Sequence, residues 1–275
     1  MRYDLDAAEM RRLSAEFLTA HPGSGRFVSV VAGPDEPLAD VGRTMEREVF
    51  EESFGNDAAA MAGEYASYET RSLFFVVLDR RRGMPAGAGR IIEDDRGVRV
   101  KTIDDAPAHI GRDVDAIVAT HGLTGAKVWD FATAAVLPAY RGGRSALAVS
   151  SLIYRTFLLA GIRAGAHHVV VMLDRRAYRN MRLLGVELTA LAGSAPFEYL
   201  GSAENHALYV RFDALAPSIA AQAARLRRPF APIRGEIRAR GLRRLITRRV
   251  AAGVSHRISS GEGLDQHILM PAPVG

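Results

Sequence analysis

The stretch Val136-Leu-Pro-Ala-Tyr-Arg-Gly-Gly-Arg-Ser-Ala146 decides the fold of this chain. An apolar run over residues 127–136 predicts a strand, and the apolar pattern of residues 144–164 predicts a long buried helix directly after the two glycines. A strand that leads through glycines into a helix points several free backbone N–H groups at one spot, where the helix dipole adds positive charge. The stretch is therefore either a diphosphate-binding site or a simple strand-to-helix turn in which glycine supplies the geometry.

Strand and helix patterns alternate on both sides of this turn. Upstream, the patterns predict helices over 4–20 and 38–54 and strands over 27–32, 72–79 and 86–93. Downstream, they predict a strand over 167–173, a helix over 175–184 and strands over 187–191 and 207–212. Since a strand–helix–strand unit with so long a crossover implies a parallel pair, the sequence predicts a mixed α/β (α+β) fold.

Composition limits the function classes. The 275 residues are 48% hydrophobic and 24% charged, which is ordinary for a globular protein with a sizeable core. The absence of cysteine excludes disulfides, thiolate metal sites and cysteine nucleophiles, and no His/Asp/Glu group has metal-ligand spacing, so we expect no metal. The acids near Met1 and the arginine within the apolar stretch 146–162 favour a cytoplasmic protein without a membrane span.

The positive charge is concentrated near the C-terminus. Residues 214–253 carry ten arginines and one acid, so they contribute +9 to a net charge of +5, and the rest of the chain sums to −4. We therefore divide the chain into a main domain, 1–213, and an Arg-rich helical tail, 214–275. The tail suits a membrane surface or an acidic partner, with nucleic acid least favoured, or it folds back on the acidic domain. Its interleaved apolar residues are Leu226, Ile233, Ile237, Leu242, Leu245 and Ile246.

The turn after Val136 resembles the coenzyme A signature of the GNAT superfamily of acyltransferases, in which V-x-P precedes Arg/Gln-x-x-Gly-x-Gly/Ala. The resemblance implies a mostly antiparallel central sheet flanked by helices, with the strand ending near Val136 splayed from its parallel neighbour near Val170 to receive pantetheine. It implies that coenzyme A binds through Val136, Arg141, Gly142, Gly143, Arg144, Ser145 and Ala146. Arg144 departs from the usual glycine.

A second match, Asp174-x-x-Ala177-x-x-x-Met181-x-x-x-Gly185, resembles the helix that closes the GNAT fold. Tyrosine often occupies the position of Met181 in that family and protonates the leaving thiolate. Because methionine has no proton to donate, that role is vacant at this position, and the neighbouring Tyr178 should project elsewhere on the helix.

Further segments resemble a narrower branch, the acyl-homoserine-lactone synthases and the long-chain N-acyl amino acid synthases, over roughly residues 40–212. Ala66 and Thr133 replace an acid and an arginine of that pattern, which favours an acceptor other than that of a plain homoserine-lactone synthase. The segments are Arg47-Glu-Val-Phe50, Glu64-Tyr-Ala-Ser-Tyr-Glu69, Gly87-Ala-Gly-Arg90, Val128-Trp-Asp-Phe131 and Phe197-Glu-Tyr-Leu-Gly201.

Asp130 is the predicted base or amine-orienting group. It lies on an otherwise apolar strand, on the face opposite Trp129 and Phe131. A carboxylate needs burial or a bridging water to act as a base, and the alternative is a structural ion pair with Arg90 or another arginine. Glu69 and Arg90 are further candidates, for recognition of the acceptor, or else they form a pair on the hairpin surface.

The resemblance implies an N-acyltransferase that moves an acyl group from acyl-CoA or acyl carrier protein to the amine of an amino-acid-like small molecule by direct attack. Acyl transfer to an amine needs a neutral nitrogen, an oxyanion donor and a route for the amine proton. One alternative is a small-molecule N-acetyltransferase that uses acetyl-CoA. Another is a non-catalytic GNAT-like module that binds an acidic partner, a membrane or nucleic acid through the tail.

Overall fold

Strands from all parts of the chain join in one sheet. The computed structural model describes residues 1–94, 99–228 and 240–270. Within these residues the strands are β1 (Phe27–Ala32), β2 (Ser72–Asp79), β3 (Met84–Asp94), β4 (Val128–Val136), β5 (His168–Asp174), β6 (Thr189–Ala190), β7 (Phe197–Tyr199), β8 (Ser202–Arg211) and β9 (Ile268–Leu269). Their order is β6-β8-β5-β4-β3-β2-β1-β9, with β7 paired to β8. Because β4–β5 and β1–β9 are the parallel pairs and the other pairs are antiparallel, the predicted mostly antiparallel sheet is confirmed.

Helices cover both faces of this sheet. They are α1 (Ala7–Ala20), α2 (Pro37–Phe54), α3 (Ala58–Tyr65), α4 (Lys101–Asp105), α5 (Pro107–Ile110), α6 (Val114–His121), α7 (Gly143–Ala164), α8 (Arg175–Leu184), α9 (Phe212–Arg227) and α10 (Gly241–Ser260). Local chemistry sets their ends: Asp174 begins α8 by accepting the Ala177 N–H at 2.7 Å, and Gly185, with φ of 97°, ends it. The short helices α4 to α6 lie where the sequence predicts no regular element.

Two apolar layers hold the central strands. On one face of the sheet, Val128 and Val170 pack with Ile103 of α4 and Ile117 of α6. On the other face, Trp129 and Val169 pack with residues of α7, α9 and α10, among them Phe157, Ile219 and Ile258. This division follows from strand alternation, which sends successive side chains to opposite faces.

By length and composition alone, helix α7 is long and apolar enough to cross a membrane, whereas residues 146–162 of the sequence predict no membrane span. The difference arises because the helix extends over 22 residues, from Gly143 to Ala164. Half of the most apolar 18-residue stretch of α7 is buried inside the protein, where the helix lies against β1, β2 and β3.

The parallel strands β4 and β5 separate partway along their length. They pair at Val128 with His168, Trp129 with Val169, and Asp130 with Val170, and the pairing stops there. Beyond Asp130, β4 stays paired to β3, while β5 stays paired to β8. The strands therefore splay from Val170 onward, as the resemblance implies, and a gap opens toward Val136.

The C-terminal segment packs on the sheet through α9, α10 and β9. Leu215, Ile219 and Ile258 belong to the same core as β4 and β5, and β9 pairs with β1. The N-terminal half of α10 nevertheless exposes apolar side chains, with Leu242 72% exposed and Leu245 57% exposed. Ile233 and Ile237 of the tail prediction lie outside the described residues, and the domain boundary after residue 213 stays a prediction.

Candidate active site

A cavity of about 460 Å³ occupies the gap between β4 and β5. It passes through the sheet, because its lining includes residues from both apolar layers. On the α2–α4 side its polar wall consists of Tyr65, Lys101, Thr102, Asp130, Tyr199 and Asn205. On the α7 side its lining is Phe131, Tyr154, Phe157, Leu158, Val169, Val171, Leu184, Val186, Leu188, Val210, Leu215, Ile219 and Ile258, which we call the apolar chamber.

The predicted phosphate-binding turn lies at one end of this cavity. Gly142 precedes α7 without a side-chain cap, and Gly143 has a φ of +55°, a left-handed conformation that favours glycine. A side chain at either glycine would meet no atom within 4 Å, and no side chain caps the first N–H groups of α7. This geometry suits an anion bound at a helix N-terminus.

The two arginines of the turn differ in their surroundings. Arg141 lines the cavity, donates from Nε to the Val136 carbonyl at 2.9 Å, and forms a 2.7 Å ion pair with Glu52. Arg144 is exposed and has no ion pair among the described residues. Ser145 accepts a 3.3 Å hydrogen bond from Arg26. The structure thus brings the predicted residues of the turn together, while their binding of coenzyme A stays a prediction.

Asp130 is fully buried at the edge of the cavity, where β4 leaves β5. The Thr102 backbone N–H donates to Oδ2 at 2.5 Å, and the Thr102 hydroxyl donates to Oδ1 at 2.9 Å. Burial raises the pKa of Asp130 to about 7, against the lowering effect of the Thr102 hydrogen bonds and of Lys101. The alternative pairing with Arg90 is wrong, since Thr102 is the partner that the structure provides.

Lys101 and Tyr199 form the rest of the polar wall. The Lys101 ammonium pairs with Glu64 and Asp105 and contacts the Tyr199 hydroxyl at 2.6 Å. Tyr199 in turn donates to Asp105 at 2.6 Å. These groups hold α3, α4 and β7 together beside Asp130, so the polar wall is a connected network.

Glu69 and Arg90 lie one layer behind the cavity. The Arg90 guanidinium donates to Glu69 at 3.0 Å and to Glu46 at 2.7 Å, and Arg43 pairs with Glu69 at 2.7 Å. The alternative of a hairpin surface pair is wrong, because Glu69 is 4% exposed and Arg90 is not exposed at all. Neither lines the cavity, but Arg90 lies 3.9 Å from the ring centroid of Tyr65, which does. Their role in acceptor recognition stays a prediction.

β4 also carries a bulge at the gap. Phe131 pairs with Ile91 and Thr133 with Arg90, which leaves Ala132 without a partner in β3. The Thr133 hydroxyl donates to Glu46, so the buried ion-pair network fixes the bulged segment from behind. Since β5 has moved away here, the N–H groups of β4 that point away from β3 face the cavity.

Sequence reasoning missed Thr102, Lys101 and Glu46. Thr102 acts partly through its backbone N–H, which has no sequence signature. Lys101 is one of two lysines in the chain, a rarity that could have marked it. Glu46 directly follows the apolar core position Met45 within a predicted helix, and an acid at such a place is the signal that could have found it.

Met181 lines the cavity, whereas Tyr178 stacks on His206 with ring centroids 4.4 Å apart and does not line it. Tyr178 therefore projects elsewhere on α8, as predicted. Among the described residues, no group of three His, Asp or Glu side chains is arranged to hold a metal ion.

No protein-family model and no curated protein matches the chain. Among solved structures, FeeM, an N-acyl amino acid synthase from uncultured soil microbes, is similar with a TM-score of 0.52 and 14% identity, over 71% of this chain and 96% of that chain. A CoA-dependent acyl-homoserine lactone synthase, BjaI, has a TM-score of 0.46 and 14% identity, over 90% of this chain and 94% of that chain. A putative N-acetyltransferase from Lactobacillus plantarum has a TM-score of 0.44 and 14% identity, over 68% of this chain and 99% of that chain. The chain therefore shares the fold of this N-acyl amino acid synthase.

Proposed function

We propose that this protein is an N-acyltransferase that transfers an acyl group from acyl-CoA or acyl carrier protein to the amine of an amino-acid-like small molecule. The observation that carries the proposal is a single cavity that extends from Arg141, beside the start of α7, through a gap between parallel strands and past a buried carboxylate into an apolar chamber. The similarity to an N-acyl amino acid synthase supports it at the level of the fold.

In this proposal the diphosphate of the donor binds at the N-terminus of α7, where free N–H groups and Arg141 and Arg144 meet its charge. An acyl carrier protein would present its single phosphate to the same turn. The pantetheine enters the gap, and the acyl chain occupies the apolar chamber. Burial of the chain there is favourable by about 0.8 kcal/mol for each methylene group.

The acceptor amine attacks the thioester carbonyl from the side of the polar wall. The carbon–nitrogen bond forms, backbone N–H groups of β4 beside the Ala132 bulge stabilise the oxyanion, and collapse breaks the carbon–sulfur bond. Asp130 takes the proton that the amine loses, since a pKa of about 7 lets it exist as carboxylate near neutral pH. The sulfur leaves as a thiolate, whose parent thiol has an ordinary pKa of about 8.5, so Met181 in place of an acid is compatible with the step.

The apolar chamber favours a longer acyl group over acetyl. An acetyl group ends at the gap and would leave the side chains of α7, α9 and α10 that line the chamber without a ligand. The buried carboxylate favours an enzyme over a non-catalytic binding module, because Asp130 lines the cavity at the point where β4 leaves β5 and a thioester in the gap would meet the acceptor.

Binding of donors tests the proposal before the acceptor is known. Thermal and chemical denaturation of the full chain would be followed with CoA, acetyl-CoA, octanoyl-CoA and dodecanoyl-CoA. A ligand at about a hundred times its Kd adds about 2.7 kcal/mol to the free energy of unfolding. Stabilisation that grows with chain length is expected, and thiol release should follow when amino acids are added. Equal stabilisation by every thioester would favour the acetyltransferase, and none from any thioester or from acylated carrier protein would overturn the proposal.

A further inference from the structure

The N-terminal half of α10 exposes a group of large aliphatic side chains. Four of the six most exposed large apolar side chains among the described residues lie in the first ten residues of this helix. Single exposed apolar side chains are ordinary in a globular protein, whereas a contiguous group indicates a contact surface. We call the four the apolar stripe: Leu242 is 72% exposed, Leu245 57%, Ile246 53% and Val250 38%.

The stripe faces away from the rest of the protein. The inner side of α10 is marked by Arg248, which is buried and donates from Nε to the Leu226 carbonyl of α9 at 2.7 Å. Successive residues of an α-helix turn by about 100°, so Leu242, Ile246 and Val250, spaced four apart, lie on the opposite side from Arg248. A surface helix usually turns its apolar side toward the core. This half of α10 has the reverse orientation.

Unpaired arginines border the stripe. By the same helical spacing, Arg243 and Arg249 lie on its two sides, and Arg244 follows Arg243. All three are exposed, and none forms an ion pair with a described residue. The whole of α10 contains no acidic residue. The stripe is therefore flanked by positive charge that the described part of the protein does not balance.

An apolar stripe between unpaired arginines fits a lipid surface. A helix in a membrane interface buries its apolar side at the level of the acyl chains, and its arginines meet anionic headgroups. The long stem of arginine lies along apolar surface while the guanidinium stays in the polar layer. A nucleic acid would meet the arginines but leave the aliphatic side chains in water. A second copy of the chain would bring the same unpaired arginines against each other.

We propose that the N-terminal half of α10 binds the surface of bilayers that contain anionic lipids. The apolar stripe enters the interface, and Arg243, Arg244 and Arg249 contact headgroup phosphates. No residue of the stripe lines the cavity between β4 and β5, so this surface is separate from the candidate active site. The inference goes beyond the proposed function and does not depend on it.

Co-sedimentation of the full chain with vesicles tests the inference. Vesicles of phosphatidylglycerol and phosphatidylcholine in equal parts would be compared with vesicles of phosphatidylcholine alone. The native chain should bind the anionic vesicles at least about 10-fold more strongly, since each arginine near an anionic surface contributes about 5-fold. High salt should weaken this preference, because it screens the charges.

A triple variant tests the apolar contribution. Leu242→Gln, Leu245→Gln and Ile246→Gln together retain every charge and use a residue that is compatible with a helix. Burial of an aliphatic side chain contributes about 10-fold or more, so binding to anionic vesicles should fall by at least about 100-fold. Since the three side chains are exposed, thermal unfolding should stay near that of the native chain.

A second triple variant tests the charge. Arg243→Gln, Arg244→Gln and Arg249→Gln together should remove most of the preference for anionic over neutral vesicles, by about 5-fold for each arginine. Ile162→Gln is the matched control, because it removes an aliphatic side chain that is 63% exposed but lies on α7. It should bind both kinds of vesicle as the native chain does.

Three results would overturn the inference: no binding of the native chain to anionic vesicles, equal binding to both kinds, or native binding by the apolar variant. Self-association of the native chain that the apolar variant abolishes, without vesicle binding, would assign the stripe to a second copy and overturn it too. The Kd for dodecanoyl-CoA should be the same in every variant, so failure of the inference leaves the proposed acyl transfer standing.

Discussion

Thr102 occupies both oxygens of the Asp130 carboxylate, with its backbone N–H on Oδ2 and its hydroxyl on Oδ1. The two residues come from different elements, since Thr102 lies in the first turn of α4 and Asp130 lies where β4 leaves β5. Two opposing effects meet at this carboxylate, because burial raises its pKa and the Thr102 donors lower it. Their balance keeps the group near the pKa that suits a general base at neutral pH.

Asp130→Asn should therefore reduce acyl transfer by about 100- to 10,000-fold, the usual contribution of a general base. The asparagine retains the shape of the side chain but takes up no proton from the attacking amine. Steady-state measurement of kcat/KM would check this, with the Kd of acyl-CoA as the control that should stay near its native value. If the variant keeps native activity, Asp130 is not the general base of the reaction.

The rate should also depend on pH in a defined direction. Because the pKa of Asp130 is about 7, activity should rise as pH increases through that value and then level off. Thr102→Val removes the hydroxyl that lowers this pKa, so the rise should move to higher pH, and Thr102→Ser should restore its native position. A pH profile of kcat/KM for the native chain and the two variants is the measurement. If kcat/KM of Thr102→Val rises at the same pH as that of the native chain, the Thr102 hydroxyl does not set the pKa of the catalytic group.

Ionisation of Asp130 should lower the stability of the fold, whereas it should raise the activity. Its pKa in the folded chain lies above its ordinary value of 3.8, so folding takes up a proton between these pH values. The stability that the neutral carboxyl contributes is present below about pH 4 and is lost as pH rises through about 7. The free energy of unfolding of the native chain should therefore fall relative to that of Asp130→Asn as pH rises from 5 to 8. Urea titrations of both chains at several pH values would measure this difference. A constant difference over that range would contradict the raised pKa.

Arg141→Ala should weaken donor binding by about 10- to 100-fold, since a hydrogen bond to a charged group contributes about 1.5–3 kcal/mol. Release of Glu52 from its ion pair leaves an acid beside the turn, which adds to the loss. Calorimetry with CoA would measure it, and Arg112→Ala, an exposed arginine away from the cavity, is the control. Equal Kd values for the two variants would show that Arg141 does not contact the donor.

The main effect of Arg90→Met should be a lower free energy of unfolding. It leaves Glu46 and Glu69 buried without their shared cation, and loss of one partner of a buried ion pair costs about 3–5 kcal/mol. Chemical denaturation would measure this, and Arg12→Met is the control, because its pair with Glu16 is exposed and contributes little. A loss of activity without a loss of stability would instead support direct recognition of the acceptor by Arg90.

The parts of the fold that could be predicted from the sequence are those with a local signal. The runs that form β1, β2 and α8 have clear apolar periodicity and turn residues at their ends, and the predicted bounds agree with the structure. The turn at Gly142 and Gly143 was identifiable because the strand, glycines and helix follow one another directly.

Other features depend on tertiary contacts and leave little local trace. Strand β9 has two residues and exists because β1 offers an unpaired edge. Thr102 meets Asp130 through a backbone N–H, which every residue but proline possesses. The sequence marks Glu69 and Arg90 as candidate site residues. Their position behind the cavity depends on the packing of α2 on the sheet, because α2 supplies their partners, Arg43 for Glu69 and Glu46 for Arg90.

The route of the chain also limits how this protein can move. The gap partly divides the sheet into two blocks of strands, with β5, β6, β7 and β8 on one side and the rest on the other, and the pairing of β4 with β5 from Val128 to Asp130 still joins them. Two stretches of backbone connect the blocks, α7 between β4 and β5, and residues 212–267 between β8 and β9. Arg155 of α7 ties these stretches to each other through Asp265 at 2.6 Å and the Ile258 carbonyl at 3.1 Å. The blocks are thus joined by two stretches of backbone as well as by the paired ends of β4 and β5, so we expect the gap to keep its width rather than open by the blocks swinging apart.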